Sequence, residues 1–150
     1  MFAPRRILHP TDFSECSALA FAVAIDLAKQ NSATLIVLHA VETLGPENVS
    51  FGEVRTELEP DSYRQRLMDE LKQVVPPEDS KIMTEHILVE GDTAEQIDRY
   101  ASENKIDLIV MGTHGRTGLA RLLTGSVTEE ALRRSPCPML IVRLPHAGAR

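Results

Sequence analysis

The sequence predicts a doubly wound α/β sandwich: a five-stranded, mainly parallel sheet with four helices, in a single domain over residues 1–150. Short apolar runs alternate strictly with segments of helical period, the pattern of right-handed crossovers and a parallel sheet. The central runs are continuous, not alternating, as in Leu35-Ile36-Val37-Leu38 and Leu108-Ile109-Val110-Met111. A strand covered by helices on both faces needs that composition. With 150 residues, 43% hydrophobic and 25% charged, the chain has the size and balance of one globular domain.

Arg6-Ile7-Leu8-His9 reads as the first strand, ending at Pro10. Ser14 is placed to cap a helix running to about Gln30, with Leu19, Val23 and Leu27 at helical spacing and Phe21 and Ile25 widening the stripe. Ala33 to Val41 forms the second strand. Residues 42–60, with Gly45-Pro46, Gly52 and Pro60, show no period and read as a long, mobile connection. Tyr63, Leu67, Leu71 and Val74 mark one face of a second helix stopped by Pro76-Pro77. Ile82 to Val89 is the third strand, and Asp92 with Glu95 makes a capping box for a helix carrying Ala94, Ile97 and Ala101. Asp107 to Met111 is the fourth strand. Ser126 with Glu129 forms a second box opening the last helix, which ends before Pro136, and Met139 to Val142 is the last strand.

Composition narrows the function. A net charge of −6 argues against a nucleic-acid polymer as partner, since phosphate backbones need a basic face. No apolar run is long enough to span a bilayer and the start is no signal peptide, so no membrane partner and a soluble, cytoplasmic protein are expected. Cys16 and Cys137 sit in no metal-type spacing and read as reduced thiols.

The chemistry concentrates between the fourth strand and the last helix. Gly112 to Gly125 is a fourteen-residue stretch holding four of the chain's eight glycines. A strand-to-helix loop here usually has about two to six residues. Glycine lets the backbone approach a ligand closely. The loop leaves the carboxyl end of a strand, where open α/β sheets bind ligands. It enters a helix N-terminus, where unpaired N–H groups and the macrodipole attract anions. Arg116 and Arg121 add charge. Neither a P-loop nor a G-x-G-x-x-G fingerprint is present. Singly each glycine is an ordinary turn residue; together they predict phosphate binding.

Gly112-x2-Gly115-x9-Gly125-Ser126 resembles the G-x2-G-x9-G-[S/T] pattern of nucleotide-binding universal stress proteins. The resemblance extends to Pro10-Thr11-Asp12, to His39-Ala40 and to the segment from Asp107 to Arg143. It implies strand order 3-2-1-4-5, bringing Asp12 beside Gly112. It further implies that Pro10, Thr11 and Asp12 meet the adenosine end of ATP (or ADP or AMP), and that Ala40 holds adenine through its backbone. Met111 and Gly112 would line the ribose and α-phosphate, His114, Gly115 and Arg116 would flank the phosphates, and Gly125, Ser126 and Val127 would complete the cradle. A divalent ion, Mg²⁺ or Mn²⁺, is implied as a bridge between phosphates, and a homodimer through the last strand is implied as the assembly. His9 departs from the pattern, which usually has an aliphatic residue there.

Other residues invite plainer readings. His9, His39 and His114 share one rim of the expected sheet, yet lack ligand spacing and a joining carboxylate, so no metal centre is expected. Cys16 reads as a small core residue, and Arg133 and Arg134 as partners of a helix dipole. Two functions compete: a nucleotide-dependent regulatory module in stress response, read by an unknown protein partner, and a slow ATPase, phosphotransferase or autophosphorylating enzyme. Thr113, His114 and Ser126 are the nearby candidates for catalysis, but no loop carboxylate stands ready to activate water, which favours the module. A phosphoacceptor receiver domain would need an acidic cluster and a lysine after the last strand, and Arg143 to His146 supplies none.

Overall fold

The computed structural model describes residues 1–42, 60–113 and 126–145. The apolar runs form β1 (Arg6–Pro10), β2 (Thr34–Val41), β3 (Thr84–Glu90), β4 (Leu108–Gly112) and β5 (Met139–Val142). Between them lie α1 (Glu15–Asn31), α2 (Pro60–Lys72), α3 (Thr93–Glu103) and α4 (Ser126–Arg134), with a short 3₁₀ turn at Glu78–Ser80. All strand pairs are parallel and the sheet order is β3-β2-β1-β4-β5. Successive crossovers therefore run one way from β1 to β3, then jump back to β4. The reversal falls between β1 and β4, in the middle of the sheet.

Alternation along the strands divides the core between two faces. Ile7, Leu35, Leu108 and Val110 pack against Ala20, Ala24 and Ala28 of α1. Leu8, Ile36, Leu38, Ile109 and Met111 point the other way, onto Ala94, Ile97 and Ala101 of α3 and Ala131 of α4. α2 lies on the α1 side: Val37 pairs with His86, and the His86 Nε2–H donates to the Val74 carbonyl just past α2 at 2.8 Å.

Local chemistry sets the ends. Ser14 caps α1 by accepting from the Ser17 N–H, and Ser32 closes it in the left-handed region at φ 52°. Asp92 caps α3 by accepting from the Glu95 N–H at 3.0 Å, which is one half of the expected box; no bond from the Glu95 carboxylate returns it among the described residues. At the opposite rim from the strand ends that matter below, Asp107 Oδ2 accepts from the Arg5 and Arg6 N–H groups at 2.8 and 3.0 Å, tying β1 to β4.

Some expectations shift. The innermost stripe of α1 is Ala20, Ala24 and Ala28, with the larger Leu19, Phe21, Val23, Ile25 and Leu27 half-buried beside it. Small side chains occupy the line of closest helix–sheet approach, and the large ones fill the flanking gaps. Tyr63 is exposed, while Leu67 and Leu71 carry the buried face of α2. β3 starts at Thr84, not Ile82, because Lys81 turns the chain at φ 56°. Most of the expected connection 42–60 lies outside the described residues.

Gly112 is required by packing. A Cβ built on it would sit 2.7 Å from Cys16 Sγ and 3.1 Å from the Cys16 carbonyl carbon and oxygen. The thiol can swing aside, but the α1 backbone cannot without tilting the helix. Gly112→Ala is expected to destabilise the fold by about 1–3 kcal/mol through overpacking. A urea midpoint equal to that of the unaltered protein would contradict this close approach.

Candidate functional site

The carboxyl ends of β1 and β4, side by side where the strand order reverses, frame a crevice of the kind that binds ligands in open α/β sheets. On the β1 side the chain turns through Thr11, Asp12 and Phe13 into α1. Thr11 is buried, with its N–H donating to the Leu38 carbonyl at 2.8 Å and its Oγ1 accepting from the Phe13 N–H at 3.1 Å. Phe13 is held at φ 63°, a left-handed conformation unfavourable for a side chain of this size. Its ring packs on His39 with centroids 4.6 Å apart.

Asp12 is half-buried at the head of this turn. Its Oδ1 accepts from the Ser14 N–H at 3.0 Å and from Ser17 Oγ at 2.6 Å. Burial pushes the carboxyl up, but the hydrogen bonds from Ser14 and Ser17 together outweigh it and leave Asp12 below the ordinary carboxylate value. Asp12 is thus an ionised, acceptor-only group, suited to a ribose hydroxyl or an exocyclic amine and unsuited to phosphate.

β2 supplies an edge. The Leu38 carbonyl faces β1, so by the two-residue alternation the Ala40 N–H and C=O face that side too. β1 stops at Pro10, opposite Leu38. The Thr11 carbonyl that would continue the ladder instead accepts from His39 Nδ1–H at 2.7 Å. The Ala40 main chain therefore borders the crevice.

On the β4 side, Thr128 in the first turns of α4 is buried and donates through Oγ1 to the Gly112 carbonyl at 3.0 Å. Thr113 is buried, and its N–H donates to the Val142 carbonyl at 3.0 Å. The start of α4 is thereby anchored at the end of β4. Burial removes Thr113 from the catalytic candidates. The loop itself, with His114, Gly115, Arg116 and Gly125, lies outside the described residues, as does the Ser126 side chain. The second capping box therefore lies outside them too, though α4 does begin at Ser126.

Of the residues expected to contact a ligand, Pro10, Thr11, Ala40 and Met111 are buried, so their side chains are withdrawn from the surface of the crevice. The Met111 side chain belongs to the α3–α4 core, and Val127 packs against the same core. Asp12 and Gly112 are half-buried at the crevice. The sequence reading missed Ser17, His39 as the holder of Thr11, and Thr128. Parallel register and helix docking create these contacts, and only the Ser14-x2-Ser17 spacing hinted at any of them.

His9 is fully buried beneath the site. Its Nδ1 lies 2.9 Å from the Val110 carbonyl, which can only accept, so Nδ1 carries the proton. Its Nε2 is left without a partner, and its ring lies against Phe21 with centroids 5.4 Å apart. The rim of three histidines is not assembled from it, because His9 faces into the α1 packing. Cys16 is buried, its thiol donating to the Val142 carbonyl at 3.4 Å, and Cys137 is half-buried with burial pushing its thiol up. Arg133 and Arg134 pair with Glu129 and Glu130 one turn back.

Fold and strand order together define a doubly wound α/β protein whose switch point lies between β1 and β4, the place where open sheets of this kind bind ligands. The chain belongs to the universal stress protein family, whose profile matches residues 4–143. It is 35% identical over 144 residues to Universal stress protein MJ0531 of Methanocaldococcus jannaschii, covering 94% of this chain and 83% of that one. Its fold is similar to that of hypothetical protein MJ0577, with a TM-score of 0.81 at 28% identity over 98% of this chain and all of that one. MJ0577 is a universal stress protein of the same archaeon. A universal stress protein solved in complex with cAMP is also similar, with a TM-score of 0.64 at 26% identity, covering 93% and 97% of the two chains.

Burial holds His9 neutral, lowering its pKa from 6.5 to about 4 despite the Val110 hydrogen bond and the Asp12 charge. The unfolded chain then binds a proton that the folded one refuses. Stability from this residue is complete above about pH 6.5 and is lost as pH falls toward 4, by up to about 3 kcal/mol. His9→Leu is expected to flatten the fall in urea midpoint between pH 7 and pH 4.5. An equally steep fall in that variant would remove His9 as the cause.

Proposed function

We propose that the chain is an ATP-binding regulatory module of the stress response, a cytoplasmic homodimer whose nucleotide state is read by a protein partner. One observation carries the reading: the Thr128–Gly112 bond anchors the start of α4, where the G-x2-G-x9-G-S motif ends, at the end of β4, beside the β1–β4 switch point. The N-terminus of α4 at that point, with its unpaired N–H groups and positive dipole end, attracts an anion. The related protein bound to cAMP supports an adenine nucleotide as the ligand.

In this reading Pro10, Thr11, Asp12 and Ala40 take the adenosine end, Met111 and Gly112 the ribose and α-phosphate, and His114, Gly115, Arg116, Gly125, Ser126 and Val127 the phosphates. Among the described residues no three His, Cys, Asp or Glu side chains converge as a metal site. In this reading Mg²⁺ or Mn²⁺ bridges the nucleotide's phosphates. The module is preferred to a slow ATPase because Thr113 is buried and the Asp12 carboxylate is held in the turn after β1 by Ser14 and Ser17.

No described helix is long and apolar enough to cross a membrane. β5 lies at the edge of the sheet and carries Leu140, 39% exposed. An apolar edge of this kind pairs with a second copy of itself.

Denaturing the purified protein is expected to release an adenine nucleotide identifiable by mass, and Gly115→Val to abolish its co-purification. No measurable affinity of the unaltered protein for ATP, ADP or AMP with Mg²⁺ supplied would end the nucleotide reading. Stoichiometric ADP production over minutes, lost on replacing His114 or Ser126, would favour the enzyme instead. For the assembly, sedimentation at micromolar concentration is expected to give a dimer, and Leu140→Lys a monomer; a monomeric unaltered protein would refute the pairing.

A further inference from the structure

We infer that Ser17 is a positioning residue for nucleotide recognition: its buried hydroxyl orients the Asp12 carboxylate toward the adenosine end of the crevice. This rests on the nucleotide reading above and adds to it a residue that makes no ligand contact of its own.

The geometry is a closed ring of hydrogen bonds between the turn and the first turn of α1. Ser17 Oγ donates to Asp12 Oδ1 at 2.6 Å. The same oxygen accepts from the Asp12 N–H at 3.3 Å and from Ser14 Oγ at 3.3 Å. Ser14 closes the ring, its N–H donating to Asp12 Oδ1 at 3.0 Å and its Oγ accepting from the Ser17 N–H at 3.2 Å. A hydroxyl has one proton and two lone pairs, so these three contacts use Ser17 completely.

Capping does not explain the hydroxyl. Ser14 caps α1 through the Ser17 main-chain N–H, and an alanine at position 17 would leave that bond intact. Besides accepting from the Ser14 hydroxyl, the Ser17 side chain serves Asp12, at both its carboxylate and its N–H. Ser17 is only 6% exposed, so it is screened from solvent and from ligand alike. The adjacent Phe13 stands in a left-handed conformation at φ 63°. Such strain persists only where surrounding bonds over-determine it, and it clusters at binding sites. The Ser17 ring and the Thr11 Oγ1 bond both brace the turn in this state, beside the packing of Phe13 on His39.

The test is a double-mutant cycle on the affinity for ATP with Mg²⁺, using the full chain. Ser17→Ala is expected to raise the Kd about tenfold, the value of one charge-assisted hydrogen bond. Asp12→Ala should weaken binding at least as much. If Ser17 acts through Asp12, adding Ser17→Ala to Asp12→Ala changes the Kd less than twofold. Ser17→Thr, which restores the hydroxyl, should return affinity to near that of the unaltered protein. Thermal melting confirms that each variant folds. Where Ser17→Ala does not fold, Ser17→Cys replaces it, its weak S–H donor being expected to give the same direction of loss. Two results overturn the inference: independent, multiplicative losses in the double variant, or a Ser17→Ala protein that binds ATP as tightly as the unaltered one. Failure of the unaltered protein to bind ATP at all is a different result, and it strikes the nucleotide reading first.

Discussion

The approach of the first turn of α1 to the last residue of β4 governs the rest of the site. Cys16 and Gly112 meet so closely that no side chain fits at position 112. That contact fixes how α1 leaves β1, and hence where the Thr11–Ser14 turn stands relative to the start of the glycine motif. It is reinforced by the Cys16 thiol on the Val142 carbonyl and by Thr113 on the same carbonyl, so β5 joins the arrangement. Gly112 thus serves packing first. Its place at the head of the motif proposed to bind phosphate follows from that, since a strand end cleared for a helix is also cleared for a ligand.

Charge is distributed across the crevice with opposite sign at its two sides, which would give the proposed nucleotide one orientation. At the β1 turn stands an ionised carboxylate held by Ser14 and Ser17, a poor neighbour for phosphate and a good acceptor for sugar or base donors. Across the crevice α4 starts at the end of β4, tied there by Thr128, and its N-terminus favours an anion. Beneath them His9 stays neutral, so the burial that costs the protein acid stability also keeps a fixed cation out of the sheet. The Ala40 main chain lies between, its ladder partner at Thr11 already occupied by His39. Polarity of this kind needs no net positive charge, which reconciles an overall charge of −6 with an anionic ligand.

Much of this was legible in the chain itself. Continuous apolar runs such as Leu35–Leu38 identified strands buried on both faces, and Ser14 and Asp92 marked helix starts, because these signals are local and depend on side chains a few residues apart. The glycine motif was legible for the same reason. The strand order was supplied by family resemblance, since nothing periodic in a sequence says which strand lies beside which. Ranges at element ends moved where a single left-handed residue such as Lys81 turned the chain.

What only tertiary structure decided are the contacts between residues distant in sequence: Cys16 against Gly112, His39 on the Thr11 carbonyl, Thr128 on the Gly112 carbonyl, and the buried His9 imidazole on the Val110 carbonyl. Sequence determined which segments bury an apolar face and which loop can bare its amides, because periodicity and glycine content are properties of the chain. The site's polarity arose when parallel register and helix docking set those segments at fixed distances. Hydrogen bonds and desolvation act over a few ångströms of space, whatever the separation along the backbone.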